Sequence, residues 1–195
     1  TIPRAQLMDI TDATDRAVLH SAAYSGNYEA VVYLLNLYPE SQRAQVVKIR
    51  DRQGRTVLHH AVYSDSCETV VYLIQLFPEW QRLEVVGLMD HNECTVLHHA
   101  AHGGNVESIE FIMNLYPDSK HLEVISMRDD DDKTVLHWAA ESDKPDSIQR
   151  ILTVLPEHQR LSVVEMVDSF GRTTLHAAVA SGKPEMIESV RSLLL

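Results

Sequence analysis

The residues of this 195-residue chain best equipped for chemistry are its 11 histidines. His98 and His102 stand four apart and His99 and His102 three apart, spacings that put two imidazoles on one helical face and suit zinc. A zinc site wants further ligands, and no Glu follows His98 as in H-E-x-x-H. These histidines therefore read as braces or surface residues, and no metal ligand set is expected. The run Asp129–Asp132 gathers carboxylates but lacks the alternating ligands and distal Glu of a calcium loop, so it reads as a solvated turn. Neither Cys67 nor Cys94 has a basic sequence neighbour to favour its thiolate, and Gly103-Gly104 is an isolated pair rather than a phosphate loop. Ser, His and Asp recur at a fixed spacing and so follow structure rather than a catalytic triad. No catalysis and no cofactor are expected.

Composition narrows the partners. Lys plus Arg is 17 and Asp plus Glu is 28, a formal charge of −11. Phosphate backbones and anionic bilayers both need Lys or Arg, so neither nucleic acid nor a membrane surface is an expected partner. A protein with a basic surface is. Two cysteines without a CxxC pair point to a reducing compartment, the cytoplasm. No apolar run approaches the roughly 20 residues that span a bilayer. The start, Thr-Ile-Pro-Arg, is neither a signal peptide nor an initiator Met, which reads as a segment of a longer chain.

The elements that position these side chains repeat. Leu-His occurs at Leu19-His20, Leu58-His59, Leu97-His98, Leu136-His137 and Leu175-His176, in steps of 39. Asp12, Asp51, Asp90, Asp129 and Asp168 precede them by seven residues, and Pro39, Pro78, Pro117 and Pro156 keep the same step. Five such units fill residues 1–195, so one domain is expected, with turns beginning near 12, 51, 90, 129 and 168. In the second unit Asp51–Gly54 is a turn and Thr56 caps a short helix with Leu58, Ala61 and Val62 on one side. Asp65, like Gly26, Gly104 and Gly182, is expected to stop that helix in the left-handed conformation. A second helix follows from about Cys67 to Phe77, with Val70, Leu73, Ile74 and Phe77 as its apolar stripe. Pro78 with Glu79 starts a third, short helix. No unit of this size buries its own stripe, so the units must stack into an all-α solenoid.

The stretch Gly54-Arg-Thr-Val-Leu-His-His-Ala61 resembles the ankyrin signature G-x-T-P-L-H-x-A. Cys94–Ala101, Asp132–Ala140 and Gly171–Ala178 resemble it too. The resemblance implies an ankyrin-type helical repeat of about five units, here with three helices per repeat, and a role in protein recognition. It also implies that Thr56/His59, Thr95/His98, Thr134/His137 and Thr173/His176 hydrogen-bond to brace the turn. Val57, Val96, Val135 and Thr174 replace the signature proline, and Ala17 replaces the Thr, so the first brace should be missing. The units are six residues longer than the usual 33 and are similar to repeats in some secreted effectors of intracellular bacteria, which would place the chain in host cytosol.

In that family the turn tips and the exposed side of the first helix face the partner. The matching positions here are Tyr24, His60, Tyr63, His99, His102, Trp138 and Glu141, with Arg52, Arg55, His91, Asp130, Asp131 and Lys133 on the turns. Tyr33, Tyr72 and Phe111 form another stripe, expected to pack under the third helix and otherwise a rival interface. The polar Arg191 in the last second helix reads as a cap, as does a partial helix over residues 1–11. The expected function is a monomeric scaffold binding a protein through its concave inner-helix face. The alternative is a substrate-recruiting arm of a larger enzyme or effector, and a plain spacer is a further rival.

Overall fold

The computed structural model describes residues 10–142 and 144–192. Among them are fourteen helices in a recurring triplet. The first unit holds α1 (Val18–Tyr24), α2 (Tyr28–Asn36) and α3 (Glu40–Val47). The second holds α4 (Val57–Ala61), α5 (Cys67–Gln75) and α6 (Glu79–Val86). In the third unit are α7 (Val96–Gly103), α8 (Val106–Met113) and α9 (Asp118–Ile125). The fourth has α10 (Val135–Glu141), α11 (Asp146–Thr153) and α12 (Glu157–Val164). The last has α13 (Thr174–Ala180) and α14 (Pro184–Arg191). The extra helix expected after Pro78 is therefore present in four units.

Like packs on like. The first helices form one row, α1 on α4, α4 on α7, α7 on α10 and α10 on α13. The second helices form a parallel row, α2, α5, α8, α11 and α14, with the third helices beside it. One core runs through the stack, with Leu58, Leu73, Ile74, Ile109, Ile112 and Leu136 fully buried along it. These are the stripes of the individual helices, each covered by the next unit.

Local chemistry sets the boundaries. Asn27, Ser66 and Asn105 accept from the amides of Ala30, Thr69 and Ser108 and so start α2, α5 and α8. Pro39, Pro78, Pro117 and Pro156 sit at the N-cap rather than inside the first turn, and Glu40, Glu79, Asp118 and Glu157 then meet the positive end of the dipole. Before each first helix the chain makes a tight turn closed by a single antiparallel bridge, such as Arg50 to Thr56. Each turn needs one left-handed residue: Asp15 (φ 59°), Gly54 (77°), Glu93 (60°), Asp132 (60°) and Gly171 (73°). Successive turns are linked edge to edge by amides of Arg52, His91, Asp130 and Ser169, which donate to the carbonyls of Thr14, Gln53, Asn92 and Asp131.

Several expectations change. Asp65 is not left-handed, and α4 ends with Ser64 Oγ donating to the Ala61 carbonyl at 2.7 Å. Tyr33 stands 67% exposed, whereas Tyr72 and Phe111 are half-buried against the core, so the three do not form one packed stripe. The helix expected over residues 1–11 falls mostly outside the described residues, and Thr11 is extended, bridging to Ala17. At the far end Leu175 and Val179 are exposed, although Leu19, Leu58, Leu97 and Leu136 in the equivalent place are buried.

That contrast gives a paired test. Leu136→Ala should cost about 2–5 kcal/mol in urea unfolding. Leu175→Ala, the same residue type in the same repeat position, should cost roughly 1 kcal/mol or less, as for an exposed site. Equal costs would contradict shielding by the following unit.

Candidate protein-binding surface

The surface is built on a set of braces. His59 Nδ1 accepts from the Thr56 amide at 3.1 Å and lies 2.8 Å from Thr56 Oγ1, and His98, His137 and His176 repeat the arrangement with Thr95, Thr134 and Thr173. The other ring nitrogen donates to a carbonyl in or just ahead of the next unit's turn. His20, His59, His98 and His137 reach the carbonyls of Ile49, Cys94, Met127 and Arg172 at 3.0, 3.3, 3.1 and 2.8 Å. A ring that accepts at Nδ1 and donates at Nε2 is neutral. The first unit keeps half its brace: without a Thr hydroxyl, His20 Nδ1 still accepts from the Ala17 amide at 3.1 Å.

A second set ties down the turn carboxylates. One oxygen of Asp51 accepts the amides of Gln53 and Arg55, and Asp12, Asp90, Asp129 and Asp168 do the same in their own turns. The other oxygen takes a side-chain donor from the first helix or the turn. It is His60 for Asp51, His99 for Asp90 and Trp138 for Asp129, at 2.8, 2.8 and 2.7 Å. In the end units, Ser21 and Ala177 replace those rings, and Arg16 and Arg172 donate instead, each at 2.8 Å. Burial works to raise the Asp90 carboxyl, but the His99 hydrogen bond and the turn amides outweigh it and hold it well below the usual range.

This corrects two expected binding residues outright. His60 and His99 are buried and serve the turn rather than a partner. Trp138 is half-buried and also belongs to the brace, its ring 5.4 Å from that of His99. Tyr63 is half-buried, and its hydroxyl lies 2.7 Å from His99 Nδ1, so it donates there. Burial pushes the Tyr63 hydroxyl up to about 12. Arg55 and Lys133 are half-buried, paired with Asp90 at 3.4 Å and Glu141 at 2.9 Å.

What remains open is a mixed strip. Tyr24 is 55% exposed, its ring 6.1 Å from that of Tyr63. His102 lies half-buried between Tyr63 (5.9 Å) and Trp138 (5.5 Å), followed by exposed Glu141. Arg52, His91, Asp130 and Asp131 are exposed on the turns, Arg52 paired with Asp15 at 3.2 Å. His98, His99 and His102 do not converge on one point: the first bonds Met127, the second Asp90. Asp129 is buried, so the acidic run is a brace followed by three exposed carboxylates.

Phe170 was not among the residues expected here. It is 72% exposed on its turn, with the Arg172 guanidinium 5.0 Å from the ring centre. Its equivalents, Thr14, Gln53, Asn92 and Asp131, are polar, and that break in the pattern was the available signal. Trp80, 75% exposed on α6, likewise replaces Ser41, Ser119 and His158.

A sequence profile of the family described as Ankyrin repeats (3 copies) matches residues 4–82 and again 79–160. The search among curated proteins finds no match.

The neutral braces carry a pH dependence. Burial pushes His59 down to about 3 and His98 to about 4, from 6.5. The unfolded chain then binds more protons below pH 6.5, so stability falls as pH drops from 6.5 toward 4. The loss is roughly 1 kcal/mol per histidine per pH unit. The depressed Asp51, Asp90 and Asp168 add losses only below their ordinary 3.8. Urea midpoints at pH 7.5 and 5 should therefore differ clearly. An unchanged midpoint would mean these rings are not held neutral.

Proposed function

The chain belongs to the ankyrin-repeat family, and from that premise we propose that it binds a protein partner along its first-helix face and turn tips. Repeats of this family are generally protein–protein interaction modules. One observation supports the placement. The braced positions keep one chemistry through the stack, while the exposed and half-buried positions beside them change from unit to unit. Tyr24, Tyr63, His102 and Glu141 occupy one such column, and Arg52, His91, Asp130 and Ser169 another. A spacer gains nothing from that variety, whereas a recognition surface is made of it.

In this reading the chain is one continuous binding module, monomeric, and any catalysis belongs to other domains of the parent chain. Tyr24 and Phe170 are aromatic anchors, and Tyr63, His102 and Trp138 form the floor between them. Asp130, Asp131 and Glu141 favour a basic segment on the partner, as does the net charge of −11. Cys67 and Cys94 are both free thiols, which fits a reducing compartment such as the cytoplasm. Among the described residues, no helix is long and apolar enough to cross a membrane.

The test avoids the braces. Tyr24→Ala and the double change Asp130→Lys/Asp131→Lys remove exposed groups only, with Trp80→Ala on α6 as the comparison. Cross-linking of the tagged chain in its native cells, read by mass spectrometry, identifies the partner, and titration with that purified partner gives affinities. Tyr24→Ala should weaken binding by about 30-fold, as for a hot spot near 2 kcal/mol. Wild-type affinity in both first-helix-side variants, with loss in Trp80→Ala, would move the interface to the third helices.

A further inference from the structure

One column of the stack changes character in the third unit. Arg16, Arg55, Lys133 and Arg172 are equivalent, and each meets a carboxylate, of Asp12, Asp90, Glu141 and Asp168 at 2.7, 3.4, 2.9 and 2.7 Å. Cys94 takes that place in the third unit, so the row of cations is interrupted by a thiol. Its Sγ lies fully buried, 3.6 Å from the Asn92 carbonyl and 3.9 Å from Asp129 Oδ2. These are the long contacts of a weak S–H donor. Around it, Asp90, Cys94 and His99 bring one oxygen, one sulfur and one ring nitrogen within 4.8 Å of one another, all three residues buried.

We propose that Asp90, Cys94 and His99 form a binding site for one thiophilic divalent cation, with zinc the best match. Oxygen, sulfur and imidazole are the donors zinc takes, at roughly 2.0–2.3 Å, so Asp90 Oδ2 and His99 Nε2, now 2.8 Å apart, need only open slightly to admit the ion beside the sulfur. The ion supplies the positive charge that Arg or Lys brings to this column elsewhere. Its two charges are balanced by the Asp90 carboxylate and the Cys94 thiolate, and binding releases one proton, from the thiol. The His99 ring shifts tautomer, giving up Nε2–H and gaining Nδ1–H. Nδ1 then donates to the Tyr63 oxygen, which at present donates to it at 2.7 Å. Asp90 Oδ1 keeps the amides of Asn92 and Cys94, at 2.9 and 3.0 Å. A metal-bound carboxylate and imidazole with such outer partners are held in orientation.

Three protein ligands leave a fourth position, and Asp129 is the nearest further carboxylate to the sulfur. Arg55, 3.4 Å from Asp90 and partly exposed, gives up its contact and turns to solvent. The site is confined to this unit. Arg55 stands where the sulfur would be in the second unit, and Lys133 does so in the fourth, where Trp138 also replaces the imidazole.

The experiment uses the whole chain, stripped with a chelator, kept reduced and titrated with Co²⁺, then with Zn²⁺. A near-ultraviolet sulfur-to-cobalt band should saturate at one equivalent and vanish on adding Zn²⁺. Cys67→Ser should keep the band, and Cys94→Ser should lose it with at least about tenfold weaker binding. Cys94→Arg restores the residue type of the neighbouring units, so it should fold by circular dichroism and bind no cobalt through sulfur. The proposal is overturned if the folded wild-type chain shows no band, or if the band survives in Cys94→Ser.

Discussion

A neutral imidazole, one per unit, holds this structure in order. Each accepts from the backbone just ahead of its own helix and, in the first four units, donates to a carbonyl in or just ahead of the next turn. It fixes the entry angle of the first helix and the spacing between units with a single side chain. The second and third helices, the turn carboxylates and the tip-to-tip amide bonds all take their positions from that spacing. Protonation would set an N–H against another N–H at Nδ1, so the architecture is compatible with only one charge state of the ring.

The turn carboxylates follow a complementary rule. Every one accepts two amides on one oxygen and at least one side-chain donor on the other, but that donor is interchangeable. His60, His99 and Trp138 serve in the middle units, and Arg16 and Arg172 at the ends. Residues that look variable are therefore equivalent in what they donate. Real variety starts one layer further out, at Tyr24, His102, Glu141 and the turn tips, where no backbone group depends on the choice.

That layering explains what was legible in the sequence. The step of 39, the three helices and the buried stripes could be read because each follows from spacing along the chain. The Thr–His brace was legible through the signature it resembles. His60, His99 and Trp138 were misread as partner-facing because their spacing from the turn Asp, nine residues, matches no helical period. Only the turn's return path brings them together. The exposure of Phe170 and Trp80 could have been seen as apolar residues in polar columns, yet a single departure in a column is easily lost among conservative ones. Ser189 shows the opposite: polar in sequence, it is buried, while Arg191, read as a cap, does face out.

The uncovered Leu175 and Val179 give the stack a direction. Among the described residues the interior units are held from both sides, whereas α1 and α13 each meet one neighbouring first helix, and in a linear array each missing neighbour removes one interface term. Amide exchange among the described residues should therefore be slowest in the third unit, which has neighbours on both sides. The middle of the molecule, where Tyr63, His99 and Trp138 interlock, is then the most persistent part of its surface. A partner gripping there meets a preorganised floor.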